Sequence, residues 1–291
     1  MPRIVDPLPW YLRLALQRIA ANRRGGWQIL RLADRLGLIA GRASPFPLPG
    51  GAGAVLTPYS WLGGYTASGF ASYEPDAIAG MARAIDAMRA PAVLVDAGAD
   101  VGIYARLLLA QTRKIARVVA FEPNADSIGL LRLNLRDAGV PVELLEAGVS
   151  DRDGFATLVR RHEGDDHAGY LAPAASGIPL RRIDGLGIAP GGSLAMKLDV
   201  EGAELAALQG ARDTIAGAAQ VAIQFEAHRD VMARTGIDPI DCARLLQSIR
   251  SFRFTRCEER TRDVAEGLEL ARPFFDQAPE FKIVDVVAVS L

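Results

Sequence analysis

The chain has 291 residues, half of them hydrophobic, and a net charge of −1. That length sits at the upper end of what one hydrophobic core supports, so one large domain with additions is expected. The charge balance gives no global bias toward nucleic acid or membrane. Two cysteines (Cys242, Cys257) and three histidines (His162, His167, His228) form no CxxC pair and no Cys/His cluster. This argues against structural zinc and a disulfide framework, and for a reducing cytoplasm.

In residues 1–42, Arg3, Arg13, Arg18, Arg23, Arg24, Arg31, Arg35 and Arg42 face only Asp6 and Asp34. Asp6 and three prolines break any secretory-signal pattern, and no run approaches the roughly 20 apolar residues of a spanning helix. Leu12, Leu16 and Ile19, then Ile29, Leu32, Leu36 and Ile39, recur at helical spacing, which predicts two basic amphipathic helices broken at Gly25-Gly26. Two readings stay open: a helical cap with a solvated Arg face, and peripheral docking to an anionic membrane surface or acidic partner. The segment "RASPFPLPGGAGAVLTP" (42–58) predicts a linker or an irregular crossing segment. The chain is therefore divided into an N-terminal extension, 1–50, and a main domain, 51–291.

"SYEPDAIAGMARAIDAM" opens on a polar turn and continues with Ile78, Met81, Ile85 and Met88 at helical spacing. From there strand-like and helical runs alternate. Strands are expected at "AVLVDAG", "ARVVAFEP", "VELLEAGVS", "SLAMKLDVEG", "VAIQFEAH" and "KIVDVVAVS", with helices at "SIGLLRLNLRDAG" and "AELAALQGARDTI". Such alternation means βαβ units and a mostly parallel sheet covered on both faces. "FATLVRR" and "GIPLRRIDGL" read as an inserted hairpin or excursion around a polar loop with His162 and His167.

Ligands of doubly wound sheets bind outside the carboxyl ends of the strands. "VDAGADVG" places Asp96 at a strand end, followed by Gly98, Ala99 and Gly102. The third glycine of the dinucleotide fingerprint is missing, and Asp96 would repel a pyrophosphate. An acid there suits S-adenosylmethionine, which carries an ammonium and a sulfonium. Glu122 closes the next strand, where an acidic side chain accepts from two ribose hydroxyls.

Taken together, "YEPD" (73–76), "VDAGADVGIY" (95–104), "AFEPN" (120–124), "AGVSD" (147–151), "RIDGL" (182–186), "MKLDVEGAELAALQGA" (196–211) and "QFEAH" (224–228) resemble the FkbM-type S-adenosylmethionine-dependent methyltransferases. The resemblance covers roughly residues 70–230. Asp100 stands where that family usually has Asn, and Ile183-Asp184 where it has an aspartate pair. The resemblance implies a Rossmann-like class I methyltransferase α/β fold, with a mostly parallel seven-stranded sheet and helices on both faces. It further implies S-adenosylmethionine held by Glu74, Asp96, Gly98, Ala99, Gly102, Glu122, Pro123, Asn124, Gly148 and Asp199.

The implied reaction is methyl transfer to a hydroxyl of a small molecule or carbohydrate. Asp199 and Glu201 alternate onto one side of the sheet's carboxyl edge. His228, on the next strand, is the candidate general base because its ordinary pKa leaves it largely neutral. Glu201 reads equally as a structural acid that ties the turn, to Lys197 or to the next helix. Asp199, Glu201, Glu226 and His228 would also suit a magnesium or calcium ion. Two competing classes are a non-catalytic adenosylmethionine-binding scaffold and a nicotinamide-dependent oxidoreductase. The latter lacks its three-glycine turn and Tyr-x-x-x-Lys pair. Nothing resembles the Asn/Asp-Pro-Pro-aromatic element of nucleic-acid methyltransferases. The oligomeric state, including a homo-oligomer, stays open.

Overall fold

The computed structural model describes residues 32–33, 36–39, 43–58, 70–71, 73–160, 169–258 and 263–291. The basic helices expected in the N-terminal extension lie almost wholly outside the described residues, as do His162 and His167. Among the described residues no helix is long and apolar enough to cross a membrane.

The expected linker is instead a hairpin. Ala43–Pro47 (β1) pairs antiparallel with Ala54–Pro58 (β2), and Phe46 lies opposite Val55. A two-stranded sheet consists only of edges, so Pro45 and Pro47 sit at exposed positions without removing a needed donor. Phe46, Leu48, Ala52 and Val55 are buried in the domain core. Asn134 completes the outer edge of β2: its Oδ1 accepts from Leu56 N at 2.7 Å and its Nδ2 donates to Leu56 O at 2.9 Å.

The domain then runs Pro75–Asp86 (α1), Ala92–Ala97 (β3), Ile103–Gln111 (α2), Ile115–Phe121 (β4), Ala125–Leu135 (α3) and Val142–Leu145 (β5). An excursion follows, of Gly148–Val149 (β6), Gly154–Arg160 (β7), Gly169–Ala174 (β8) and Ile178–Arg181 (β9), which pair in the order β6-β9-β7-β8. The chain returns through Ser193–Leu198 (β10), Glu204–Gln209 (α4), Arg212–Gly217 (α5), Gln220–His228 (β11), Arg229–Thr235 (α6) and Ile240–Ile249 (α7). It ends with Phe252–Glu258 (β12), Asp263–Glu266 (β13) and Ile283–Ser290 (β14).

The main sheet has the order β13-β12-β14-β11-β10-β3-β4-β5. Strands β11, β10, β3, β4 and β5 are parallel, and β14 inserts antiparallel between β11 and β12. This is the expected Rossmann-like methyltransferase sheet of seven strands, with β13 added as an eighth at the edge. Strand order reverses between β3 and β10, the switch point where a ligand crevice forms.

Period-two alternation divides the core. Leu94, Ala195, Ala222 and Val287 face one layer with Met81, Ile85 and Leu108; Val95, Met196, Ile223 and Val286 face the other with Leu208, Ile215 and Leu246. The same alternation puts Asp96, Lys197, Gln224 and Asp285 on the first face, in four neighbouring strands. The single helix expected over "AELAALQGARDTI" is broken at Gly210. A Cβ there would collide with the Ser150 carbonyl oxygen. Gly210 O accepts from Asp184 N at 2.9 Å, and Asp184 Oδ1 accepts from Thr214 N at 2.8 Å at the start of α5.

Candidate functional site

The turn after β3 is built by left-handed residues: Gly98 at φ 76°, Asp100 at φ 48° and Gly102 at φ 88°. Its amides point inward. Gly98 N and Ala99 N both donate to Phe121 O at 3.0 Å, Gly102 N donates to Ala99 O at 2.8 Å, and Asp100 N donates to Glu122 Oε2 at 2.7 Å. A pyrophosphate cradle needs such amides turned outward, so this turn is not one.

Sequence reasoning attributes Gly98 to ligand approach; the structure supplies a nearer cause. A Cβ on Gly98 would overlap Asp199 O and lie 3.0 Å from its carbonyl carbon, because the ends of β3 and β10 touch there. Gly102 is covered by Leu131 and Leu135 of α3, with 3.0 Å from a built Cβ to Leu131 Cδ1. Gly148 lies under Leu171 and Leu180 in the small sheet.

Asp96 is fully buried, and neither carboxylate oxygen has a hydrogen-bond partner among the described residues. Burial pushes its pKa up to about 6, against the opposing pull of Lys197 and with the charges of Asp199 and Asp100 adding to the rise. Glu122 is buried but held: Oε1 accepts from Asn124 N and Oε2 from Asp100 N, each at 2.7 Å. Burial and the Asp100 charge push Glu122 up to about 8, opposed by those two backbone bonds. Each of its oxygens keeps a second lone pair for a further donor. Pro123 carries the chain to Asn124, whose side chain accepts from Asp126 N at 3.1 Å and caps α3.

Glu74 precedes α1 in a left-handed conformation, φ 43°. Its Oε2 accepts from Gln224 Nε2 at 2.7 Å; Gln224 also donates to Asp285 Oδ1 at 3.1 Å and accepts from Tyr104 OH at 2.7 Å. Tyr104 in turn lies under Lys197, whose Nζ is 5.4 Å from the ring centroid. Burial would lower the Lys197 pKa, but Asp199, Asp96 and Glu74 together outweigh it and hold the ammonium well above its usual range. Its Nζ donates to Asp199 Oδ2 at 3.1 Å and to Gly98 O at 3.2 Å. Sequence reasoning offered Glu201 as the partner of Lys197; the ion pair is made with Asp199. Gln224 and Tyr104 were not singled out at all, because their roles depend on cross-strand neighbours.

Asp199 keeps 33% of its side chain exposed. Glu201 sits at φ 53°, and its carbonyl accepts from Arg234 Nη2. The buried Glu204 stitches this turn: its Oε1 accepts from Val200 N at 3.2 Å and Gly202 N at 3.1 Å. His228 precedes α6, and its Nδ1 accepts from Asp230 N at 3.0 Å. With Nδ1 used as acceptor, the neutral ring carries its proton on Nε2, so a proton enters only if this cap is released. Among the described residues no three His, Cys, Asp or Glu side chains are placed to hold a metal ion. The magnesium or calcium reading of Asp199, Glu201, Glu226 and His228 is therefore withdrawn: Asp199 is turned to Lys197 and His228 to its helix.

Among solved structures, the chain is similar to the methyltransferase FkbM from Methylobacillus flagellatus KT, at 18% identity and a TM-score of 0.45 over 78% of this chain and 60% of that one. It is similar to a SAM-dependent O-methyltransferase from Thermotoga maritima, at 13% identity and a TM-score of 0.37 over 75% and 65%. A putative RNA methyltransferase from Pyrococcus horikoshii aligns at 14% identity and a TM-score of 0.38, over 76% and 84%. Likenesses this distant carry no argument about the acceptor, and this chain spans only 60% of the length of the Methylobacillus chain. No curated protein matches. The methyltransferase FkbM domain model matches residues 96–254, more than half of the chain, including the carboxyl ends of β3, β4, β10 and β11, so the chain belongs to the FkbM methyltransferase family.

Proposed function

We propose that the chain is an S-adenosylmethionine-dependent O-methyltransferase that methylates a hydroxyl of a small molecule or sugar, with Asp199 accepting the hydroxyl proton. The observation that carries the proposal is the Asp199 carboxylate. Oδ2 is fixed by the Lys197 ammonium, whereas Oδ1 has no hydrogen bond among the described residues and the side chain reaches solvent at the switch point. A carboxylate held on one oxygen and open on the other can orient a hydroxyl and take its proton at Oδ1.

The residues present fit the cofactor of the family. Asp96 offers two buried, unpartnered carboxylate oxygens that a cationic ligand would satisfy. Glu122 is preoriented by two backbone N–H groups to accept from a ribose diol, and Gln224 holds Glu74 toward the same face. Bound S-adenosylmethionine supplies an electrophilic methyl group on a sulfonium. The protein's part is to orient the acceptor oxygen, to remove its proton at Asp199, and to hold Asp199 through Lys197. The inward amides of the β3 turn speak against the nicotinamide alternative.

Calorimetry with S-adenosylhomocysteine and transfer of labelled methyl into a hydroxylated-metabolite extract test this reading together. Asp199→Asn should leave affinity within about twofold and slow transfer by roughly 10²-fold, the scale of a lost general base. Transfer at the wild-type rate in Asp199→Asn would remove Asp199 from the reaction. Cofactor affinity in a wild type that labels nothing would favour a binding scaffold.

A further inference from the structure

Glu226 lies on β11, two residues beyond Gln224, and so on the same face of the sheet as the Lys197 ion pair. Across the strand pair it faces Asp285 of β14. With Gly202, Leu205, His228, Val231, Met232 and Ile237 it lines a cleft between the end of β11 and helix α6. It makes no hydrogen bond or ion pair among the described residues, unlike Glu204, which lines the same cleft but is tied to Val200 and Gly202. Burial, then the charges of Asp199, Asp285, Glu74 and Glu201, raise its pKa well above the carboxylate range.

Among the described residues the charges around this cleft are one-sided. Glu226 lines it beside Glu204, the charges of Asp199, Asp285, Glu74 and Glu201 act on Glu226, and the Lys197 ammonium is already given to Asp199. The nearby guanidinium and ammonium groups are committed elsewhere. Arg234 bonds the Glu201 carbonyl and stacks 4.2 Å from the Tyr170 ring centroid. Arg229 donates to the carbonyls of Phe275, Ala278, Pro279 and Phe281, and Lys282 pairs with Asp230 at 2.7 Å. Even with the single net positive charge of the cofactor, the site stays acidic. An anionic group brought here would meet repulsion in a poorly solvated cleft, where charges interact strongly.

We propose that Glu226 marks the acceptor side of the site and that the acceptor is a neutral or cationic hydroxylated molecule, whose hydroxyl or ammonium donates to the Glu226 carboxyl. Phosphorylated and carboxylated acceptors are excluded. The inference rests on the methyl-transfer reading above and narrows it from any hydroxyl to a charge class. The apolar side chains of Leu205, Val231, Met232 and Ile237 cover the acceptor body, and Glu226 supplies its polar anchor.

The test uses the full chain, methyl-labelled S-adenosylmethionine and a hydroxylated-metabolite extract, with products separated on an anion exchanger. Label should pass through unretained. Glu226→Gln should bind S-adenosylhomocysteine within about twofold of wild type, which also reports folding, while transfer falls about tenfold or more, because the amide cannot ionise to meet a donating hydroxyl or ammonium with a charge. Label retained as an anion, or Glu226→Gln transferring at the wild-type rate, overturns the proposal and leaves methyl transfer standing. Bound S-adenosylhomocysteine with no label in any fraction refutes the methyl-transfer reading, and this inference with it.

Discussion

The contact between Gly98 and Asp199 predicts a folding defect where sequence reasoning expects a binding defect. Gly98 has φ 76°, and a Cβ would overlap Asp199 O, with the Asp199 carbonyl carbon at 3.0 Å and Val200 Cγ1 at 3.7 Å. In Gly98→Ala the left-handed backbone costs about 1 kcal/mol. Forcing the β3 and β10 ends apart adds about 1 to 3 kcal/mol, the range for overpacking a filled site. Gly139→Ala isolates the first contribution, because Gly139 also has a positive φ, 77°, yet nothing lies within 4 Å of a built Cβ. Thermal unfolding of both variants, at about 2 to 4 °C per kcal/mol for a large domain, should lower Tm by a few degrees for Gly139→Ala and by roughly twice that or more for Gly98→Ala. S-adenosylhomocysteine should bind Gly98→Ala more weakly as well, since Asp96 and the turn that orients Glu122 move with the displaced strand end. Equal Tm values for the two variants would refute the close-approach argument and return Gly98 to a purely ligand-facing role.

Three other outcomes follow from the same geometry. Glu122→Ala should weaken S-adenosylhomocysteine binding by about 1.5 to 3 kcal/mol, the worth of hydrogen bonds to a charged group, which calorimetry reads directly. His228→Ala should lose the α6 cap, lowering stability by about 1 kcal/mol, while methyl transfer stays within about twofold; a 10²-fold loss of transfer would restore the histidine as base. Asp96 has a folded pKa of about 6 against an ordinary 3.8, so the fold favours its protonated form. Its stabilising contribution is complete below about pH 4 and is lost as pH rises through 6, on the order of 3 kcal/mol at 1.36 kcal/mol per pKa unit. Asp96→Asn should therefore unfold at higher urea than wild type at pH 7, with the gap closing at pH 4, and bind S-adenosylhomocysteine more weakly.

The parallel strands were legible because burial on both faces makes them continuous aliphatic runs: "VLV" in β3, "VVAF" in β4, "LAM" in β10. Asp96 and Glu122 were legible for the complementary reason, as charges closing such runs. The β1–β2 hairpin was not, since its prolines sit at exposed edge positions and composition alone reads as linker. "FRFTRCE" of β12 carried a usable signal, Phe252 and Phe254 buried on one face with Arg253 exposed between, and period-two counting would have found it. Tyr104 and Gln224 escaped because their partners come from α1, α2, β10, β11 and β14, neighbours that only strand order supplies. His228 is ambiguous in sequence because an imidazole at a strand end reads alike as a base and as a cap; in the structure its Nδ1 accepts from the Asp230 amide.

The site's acids are best understood together with the amides beside them. A turn that binds phosphate leaves its N–H groups open and keeps acids away. Here four amides of the β3 turn close on Phe121, Glu122 and Ala99, and the Asp96 oxygens are left with no donor. An unpaired buried carboxylate destabilises the folded chain, and the Lys197 charge offsets this only in part. Such a defect is retained where a ligand relieves it, so the stability gained at pH 7 by Asp96→Asn and the affinity it loses should be two readings of one missing partner, a cation supplied from solution.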